Sequence, residues 1–210
     1  MINTKNHLIY QFIISLNGID PIIWRRIQVP AKYSFWDLHV AIQDSMGWLD
    51  YHLHAFRVSE KHKRKLTEIG IPGDEWDGEV VIPGWEVPIT NYFTEPGVNL
   101  KYEYDFGDGW IHDVLLEAIL LKDKVSKYPR CIDGERACPP EDCGSIPGYY
   151  RLLKILGDPT KTEFEENINW LKGHAKNYYP YEPEKFNPAD VHFDNPKRRW
   201  RIAFSEVREE

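Results

Sequence analysis

The chain has 210 residues, of which 42% are hydrophobic and 14% aromatic, and its formal net charge is -7. This length and apolar content suffice for one well-packed domain, and the negative charge argues against a protein that binds the phosphate backbone of nucleic acids in bulk. No apolar run has the length of a membrane span, no secretory leader opens the chain, and an odd number of cysteines favours a reducing compartment. We therefore expect a single cytoplasmic domain over residues 1–210, with neither membrane nor bulk nucleic-acid partners.

Two strands and a helix are predicted at the start of the chain. Leu8 to Leu16 places apolar residues on one face by strict alternation, and Ile22 to Val29 returns after a turn. Ser34 and Asp37 have the spacing of a capping box, and apolar residues then recur at helical spacing from Phe35 to Met46. The pattern predicts a helix that is capped at its start and that packs against the two strands.

A third strand is predicted from Tyr51 to Val58, with His52 and His54 on the same face. Histidines two residues apart on a strand point the same way, which is how a strand offers two metal ligands. The alternative interpretation is a pair of partly exposed polar residues on a half-buried strand.

The segment from about 70 to 98 differs in composition from the rest of the chain. It is rich in proline, glycine and acidic residues, but it also contains tryptophan, tyrosine and phenylalanine. We interpret it as a long ordered excursion from the domain, with an edge strand near Glu79 to Ile82.

The stretch Tyr102 to Glu117 predicts a tight hairpin, for which two registers are conceivable. A two-residue turn would place Asp105 opposite His112 and mix aromatic and charged residues on both faces. A three-residue loop at 107–109 with a glycine bulge pairs Tyr104 with His112 and leaves one face almost wholly apolar. The second register is favoured because its faces are consistent.

In that register His112 is predicted to be buried with Phe106, against Tyr104 or Trp110. The hairpin then joins aromatic rings, carboxylates and one histidine at a single place. The residues predicted to line a ligand site there are Tyr104, Asp105, Asp108, Trp110, His112, Glu141 and Asp142.

Three cysteines lie close together at Cys131, Cys138 and Cys143, in a segment punctuated by proline and glycine. With His112 as a fourth ligand they would form a structural zinc site, although the spacing lacks paired C-x2-C units. The alternatives are buried unligated thiols and a catalytic cysteine with His112 as its base. In each case the loop Cys138 to Gly144 is predicted to fold back onto the hairpin.

Three further helices are predicted after the cysteines. Ser145 is a candidate cap for a helix from about Gly148 to Leu156. Thr162 and Glu165 have capping-box spacing before a short helix, and Asn195 followed by proline is typical of a helix start. Together with the strands, these elements predict an α+β fold with a mainly antiparallel sheet and helices packed on one face.

Several motifs resemble one family over roughly Tyr10 to Phe204. The motifs are Ile23-Trp24-Arg25-Arg26-Ile27, Met46-Gly47-Trp48, His52-Leu53-His54-Ala55-Phe56, Tyr102 to His112 and Cys138-Pro139-Pro140-Glu141-Asp142-Cys143-Gly144. They resemble the family founded on the third open reading frame of a root-inducing plasmid, also described as passenger proteins of an insertion element. The resemblance implies an α+β fold and genes associated with mobile elements, and it implies no established biochemical activity.

Two functions remain open. The first is a binding module for a small ligand or a partner protein, with its site at the Tyr102–His112 hairpin and the Cys138–Gly144 loop. The second is a metal-dependent hydrolase that acts through Asp105, His112 and Asp142. We favour the binding module because it requires fewer specific residues than a catalytic site. Three or more metal ligands that converge in a pocket would favour the hydrolase instead.

Overall fold

The computed structural model describes residues 7–59, 66–73 and 81–204. Its fold is α+β, and one sheet carries all the described strands in the order β5-β4-β3-β6-β7-β1-β2-β8. The strands are β1 (Leu8–Leu16), β2 (Ile23–Pro30), β3 (His54–Ser59), β4 (Leu66–Gly70), β5 (Val81–Pro83), β6 (Asn99–Tyr104), β7 (Trp110–Leu121) and β8 (Arg130–Glu135). The helices are α1 (Phe35–Met46), α2 (Ser145–Leu156), α3 (Phe164–Gly173) and α4 (Pro196–Phe204).

The predicted antiparallel sheet is confirmed. Every described strand pair is antiparallel except β4 with β5. On β1 the side chains of Tyr10, Phe12, Ile14 and Leu16 are buried on one face, as their alternation predicts. The sheet is thus organised around β1, which lies between β7 and β2.

Helix α1 begins and ends where the sequence predicts. The Ser34 hydroxyl accepts a hydrogen bond from the Asp37 backbone and the Asp37 carboxylate accepts one from the Ser34 backbone, while Gly47 ends the helix at a φ of 84°. The helix packs on the sheet through Phe35, whose ring centroid lies 4.9 Å from that of Phe56. It therefore covers the face that the strand pattern marks as apolar.

Other predicted boundaries are wrong. Strand β3 begins at His54, so His52 precedes the strand. Helix α2 begins at Ser145 with Gly144 as its cap, and neither α2 nor α3 has a side-chain capping bond, so Ser145 and Thr162 are not caps. Strands β4 and β8 were not predicted.

Two predictions concern segments that are only partly described. The edge strand predicted near 79–82 corresponds to β5, but residues 74–80 lie outside the described residues, as does the basic stretch 61–65. None of the described helices is long and apolar enough to cross a membrane.

The C-terminal helix docks on α1. Asn195 caps α4 by accepting hydrogen bonds from the backbone of Lys197 and Arg198, as predicted. Trp36 of α1 donates its indole N–H to the carbonyl of Pro196, and Arg199 forms an ion pair with Asp44 at 2.7 Å. Helix α4 is thereby fixed to both the start and the end of α1.

Candidate functional site

The hairpin between β6 and β7 has a pairing that differs from the predicted one. Tyr104 lies opposite Trp110 and Tyr102 lies opposite His112, so the loop comprises residues 105–109. Both registers considered from the sequence are therefore wrong, the favoured one by two positions. A shift of two positions keeps each paired side chain on its predicted face, because strand faces alternate with period two.

Asp105 turns the chain and offers one carboxylate oxygen to its surroundings. Its φ of 55° lies in the left-handed region, which Asp tolerates better than most residues. Its Oδ1 accepts hydrogen bonds from the backbone N–H groups of Gly107 and Asp108. Its Oδ2 lies 3.7 Å from Nε2 of His52. The loop thus fixes the buried carboxylate and aims its second oxygen at the imidazole.

The Cys138–Gly144 loop folds back onto the hairpin, as predicted. The backbone N–H of Gly144 donates to the Asp108 carboxylate, and the Ser145 hydroxyl donates to the Asp108 carbonyl at 2.6 Å. Asp108 is therefore an anchor for this loop.

Glu141 is the second anchor of the loop. Its side chain is 1% exposed and accepts hydrogen bonds from the Tyr104 hydroxyl and from the backbone N–H of Leu49. The Tyr178 hydroxyl in turn accepts a hydrogen bond from the Glu141 backbone. These contacts hold the adjacent residue, Asp142, next to the hairpin.

Asp142, Asp105 and His52 converge at the end of the hairpin. Each offers one ligand atom, and these atoms all lie within 4.8 Å of one another. Nε2 of His52 lies 2.9 Å from Oδ1 of Asp142, and Nε2 of His174 lies 3.9 Å from Oδ2 of Asp142. One imidazole and two carboxylates from three distant segments form a donor set suited to a divalent metal ion.

A cleft of about 460 Å³ lies beside Asp142. It is lined by Arg151 of α2 and by Glu163, Glu166 and Trp170 from the α3 region. Arg151 lies 3.8 Å from Glu163 and offsets its charge, which leaves the carboxylates of Glu166 and Asp142. The lining therefore carries an excess of negative charge. Such a lining favours cations over anions.

His112 is buried, as predicted, and its Nδ1 is hydrogen-bonded to the Trp110 carbonyl, but its ring packs on other residues and its role differs. It is 0% exposed, its ring packs on Trp48 and Tyr102, and Phe106, predicted to share its face, is 50% exposed. Burial lowers the pKa of His112 to about 4. No metal-ligand group among the described residues contains His112, so neither the zinc site nor the hydrolase site predicted with this residue has structural support.

The two aromatic residues predicted to contact a ligand are buried as well. Tyr104 is 0% exposed and Trp110 1%, and both rings pack against Trp48 at centroid distances of 5.1 and 6.0 Å. They therefore support the hairpin from inside rather than line an open site.

The three cysteines are free thiols in separate settings. Cys131 lies on β8, Cys138 is buried and Cys143 is half-buried. Burial raises the pKa of Cys138 and of Cys143 to about 12, which leaves them protonated and poorly nucleophilic. Within residues 7–59, 66–73 and 81–204, no three candidate ligands gather around a cysteine, and packing is the role that the geometry supports.

His54 belongs to a buried network instead of a metal pair with His52. Its ring stacks on His39 of α1 at 3.4 Å. His39 is hydrogen-bonded to the Tyr102 hydroxyl and to Asp50, each at 2.8 Å. Burial and the neighbouring His39 hold the pKa of His54 well below its ordinary value. The interpretation of the two histidines as paired metal ligands has no support among the described residues, and the alternative of partly exposed polar residues fits His52 but not His54.

Sequence reasoning thus found Asp105 and Asp142 but missed the imidazoles beside them. The sequence pattern joins His52 to His54 instead, and no motif marks His174. The motif around His52 was visible in the sequence, but no local pattern joins it to residues that follow it by about fifty and ninety positions.

Comparison with known proteins places the chain among relatives without an assigned function. The family model for plasmid pRiA4b ORF-3-like protein matches residues 8–190. An uncharacterised protein, y4hQ, from Sinorhizobium fredii is 32% identical over 188 residues, which are 89% of this chain and 91% of that protein. The crystal structure of MM3350, a protein of unknown function from Methanosarcina mazei Go1, shares 39% identity with a TM-score of 0.77, and the match covers 89% of this chain and 99% of that one.

Proposed function

The chain belongs to the plasmid pRiA4b ORF-3-like protein family, and from that premise we propose that it is a binding module in which His52, Asp105 and Asp142 hold one divalent metal ion. The family description names a gene and no reaction, so the argument for function must come from the site. The observation that carries the proposal is the convergence of three ligand atoms within 4.8 Å.

The support for this site is the way its ligands are fixed. Two backbone N–H groups hold Oδ1 of Asp105, and buried Glu141 anchors the loop that presents Asp142. Ligands that are positioned by surrounding hydrogen bonds lose less conformational entropy when a metal ion binds.

The donor set also limits the choice of metal. An imidazole with two carboxylates suits Zn²⁺, Mn²⁺ or Fe²⁺ better than Ca²⁺ or Mg²⁺, which bind through oxygen ligands. Three protein ligands leave at least one coordination position for water or another molecule. The site therefore resembles open metal centres more than closed structural ones.

Titration of the chelator-treated protein with Co²⁺ tests the proposal. We expect one equivalent to bind with visible d–d absorption and without a thiolate-to-metal charge-transfer band, because the ligands are nitrogen and oxygen. His52→Ala and Asp142→Asn should each weaken binding by more than about 100-fold, the upper end of the effect of losing an outer hydrogen-bond partner.

His192→Ala is the matched control for that experiment. His192 is exposed and lies outside the three-ligand group, so its loss should leave affinity unchanged. A strong thiolate band, or equal binding by the wild type and by Asp142→Asn, would overturn the assignment and return attention to the cysteines.

A metal-dependent hydrolase is the second candidate, because Asp142 lines the neighbouring cleft but His52 and Asp105 do not, so the three ligands do not converge in a pocket. One observation favours it. The cleft of about 460 Å³ opens beside Asp142, and a water bound to a metal ion there would be acidified and placed next to it. Hydrolysis of nitrophenyl esters and phosphates by the Zn²⁺- or Mn²⁺-loaded protein tests this candidate. Activity that persists in Asp142→Asn would exclude this site as its source.

A further inference from the structure

Arg25 on β2 is a buried cation whose hydrogen bonds are incomplete. The residue is 1% exposed. Its Nε donates to the carbonyl of Ser45, and its Nη1 donates to the carbonyls of Trp24 and Glu135 at 2.8 and 2.9 Å. A guanidinium group has five N–H donors. Within the described part of the chain, Nη2 donates no hydrogen bond, so two of the donors remain available.

No carboxylate neutralises this charge within the described part of the chain, where none of the ion pairs includes Arg25. The ring of Phe186 stacks on the guanidinium at 3.6 Å, and burial lowers the pKa of Arg25. The groups that oppose this shift are Cys138, Cys131 and Tyr181, which are neutral when protonated. An unpaired charge is costly to bury, and a bound anion would offset that cost.

Arg25 lines a cavity of about 570 Å³ that is separate from the metal site. The volume falls in the range of pockets for small organic molecules. Its walls include the flat rings of Trp48, Tyr181 and Phe186. The cavity therefore combines aromatic surface with an unpaired donor group.

The other charged groups at this cavity leave a positive excess. Asp44 is paired with Arg199, and Glu182 is paired with Lys185 at 2.9 Å. Lys176 lines the cavity near the Tyr178 ring and takes part in no ion pair among the described residues. Of the lining groups left over, Arg25 and Lys176 are cations and Asp190 is a carboxylate, while Glu141 and Asp44 act on the charge of Lys176 from nearby.

We propose that this cavity binds a small organic anion. The carboxylate or equivalent group of the anion accepts hydrogen bonds from Nη2 of Arg25 and lies near Lys176. The flat apolar body of the anion packs against Trp48 and Phe186. The N–H bonds of Nη2 are charged donors, and each can give the anion one charge-assisted hydrogen bond. The aromatic walls supply the apolar contact that a free inorganic ion would not use. This inference is independent of the metal site.

Fluorescence of 8-anilinonaphthalene-1-sulfonate, with displacement by competitors, tests the proposal on the full chain. The dye carries an anionic group on a flat apolar body. We expect saturable binding that benzoate displaces and that benzamide, its neutral counterpart of nearly equal shape, does not.

Two variants locate the binding. Lys176→Glu should weaken dye and benzoate affinity by about fivefold or more, as expected when the sign of one nearby charge is reversed. Val191→Trp, which adds bulk to the cavity lining, should weaken both as well. Lys154→Glu is the control, since it makes the same charge change on the exposed surface of α2, away from the cavity.

Equal displacement by benzoate and benzamide would overturn the proposal, because the cavity would then be merely apolar. So would a dye affinity that is insensitive to both Lys176→Glu and Val191→Trp, or the absence of any saturable binding. Arg25 itself is not substituted, since its bonds to three carbonyls also hold the fold.

Discussion

His52 and His54 are two residues apart, yet they belong to opposite kinds of environment. His52 lies just before β3, half-buried, with Asp105 and Asp142 beside its ring. His54 lies inside β3, 2% exposed and stacked on His39. One group is open and joins an imidazole to two carboxylates, whereas the other is sealed and joins two stacked imidazoles to Tyr102 and Asp50. The point at which β3 begins separates a candidate binding site from a structural network.

The two regions differ in the free energy that an unpaired polar or charged group costs. In the buried network water is excluded, so a polar atom without a partner inside the protein, such as Nδ1 of His54, stays unsatisfied and costs stability. In the open cluster water reaches the exposed Asp142 carboxylate, so its repulsion with Asp105 is screened until a cation binds. Substitutions in the first region should therefore change stability, and those in the second should change binding.

The largest expected effect is at Glu141, which joins the two regions. Glu141→Ala leaves the Tyr104 hydroxyl and the Leu49 N–H buried without their acceptor, and we expect a loss of about 4 kcal/mol in the free energy of unfolding. Urea denaturation measures it. Glu141→Gln keeps one acceptor oxygen and should lose about half as much. If both variants match the wild type, Glu141 is not the anchor of the loop.

The second effect is a pH dependence that belongs to the buried region. The pKa of His112 is about 4 in the folded protein, below its ordinary value, so the native state favours the neutral ring. The contribution to stability is complete above about pH 6.5 and is lost as the pH falls toward 4, by about 3 kcal/mol. The shift at His54 has the same direction.

Urea denaturation between pH 7 and 4 checks this dependence. His112→Leu should flatten the slope, because the variant has no ring to protonate, while His192→Ala, at an exposed position, should keep the wild-type slope. An unchanged slope in His112→Leu would assign the acid sensitivity to other groups.

The elements that were predictable from the sequence are those set by short-range patterns. The alternation in β1 and the capping box of α1 each depend on residues within a few positions of one another. Strand β8 was missed because Arg130 to Glu135 is largely polar and lies at the edge of the sheet, where burial imposes no alternation.

The candidate site was predictable only in part, for the same reason. Asp105 stands out because it precedes a glycine-rich loop, and Asp142 stands out within the cysteine segment. Their meeting with His52 depends on the order of β3, β6 and β7 in the sheet and on the fold of the Cys138–Gly144 loop. No pattern within a single segment encodes that arrangement.

A smaller loss of stability is expected for a substitution at the start of α1, outside the buried network itself. Ser34→Ala removes the cap of α1, the helix that carries His39, and should cost about 1 kcal/mol of stability. Thermal denaturation measures the loss. Metal affinity should not change, because the helix contributes no ligand to the open cluster. A matching loss of metal binding would mean that the two regions are coupled.

The smallest effect on stability is expected at the open cluster itself. Asp142 is exposed, and Asp142→Asn removes one of two neighbouring carboxylates, so the stability of the metal-free protein should change by no more than about 0.5 kcal/mol.

The stabilities of the wild type and of Asp142→Asn should diverge when metal is added. At a free metal concentration of one hundred times its Kd, binding to the native state stabilises the wild type by about 2.7 kcal/mol, and the variant should gain almost nothing. Paired thermal denaturation with and without Zn²⁺ or Mn²⁺ measures both quantities, and a variant that is stabilised as much as the wild type would place the metal elsewhere. Because the substitution leaves the buried network intact, a selective loss of the metal-dependent gain would assign binding to the open region and stability to the sealed one.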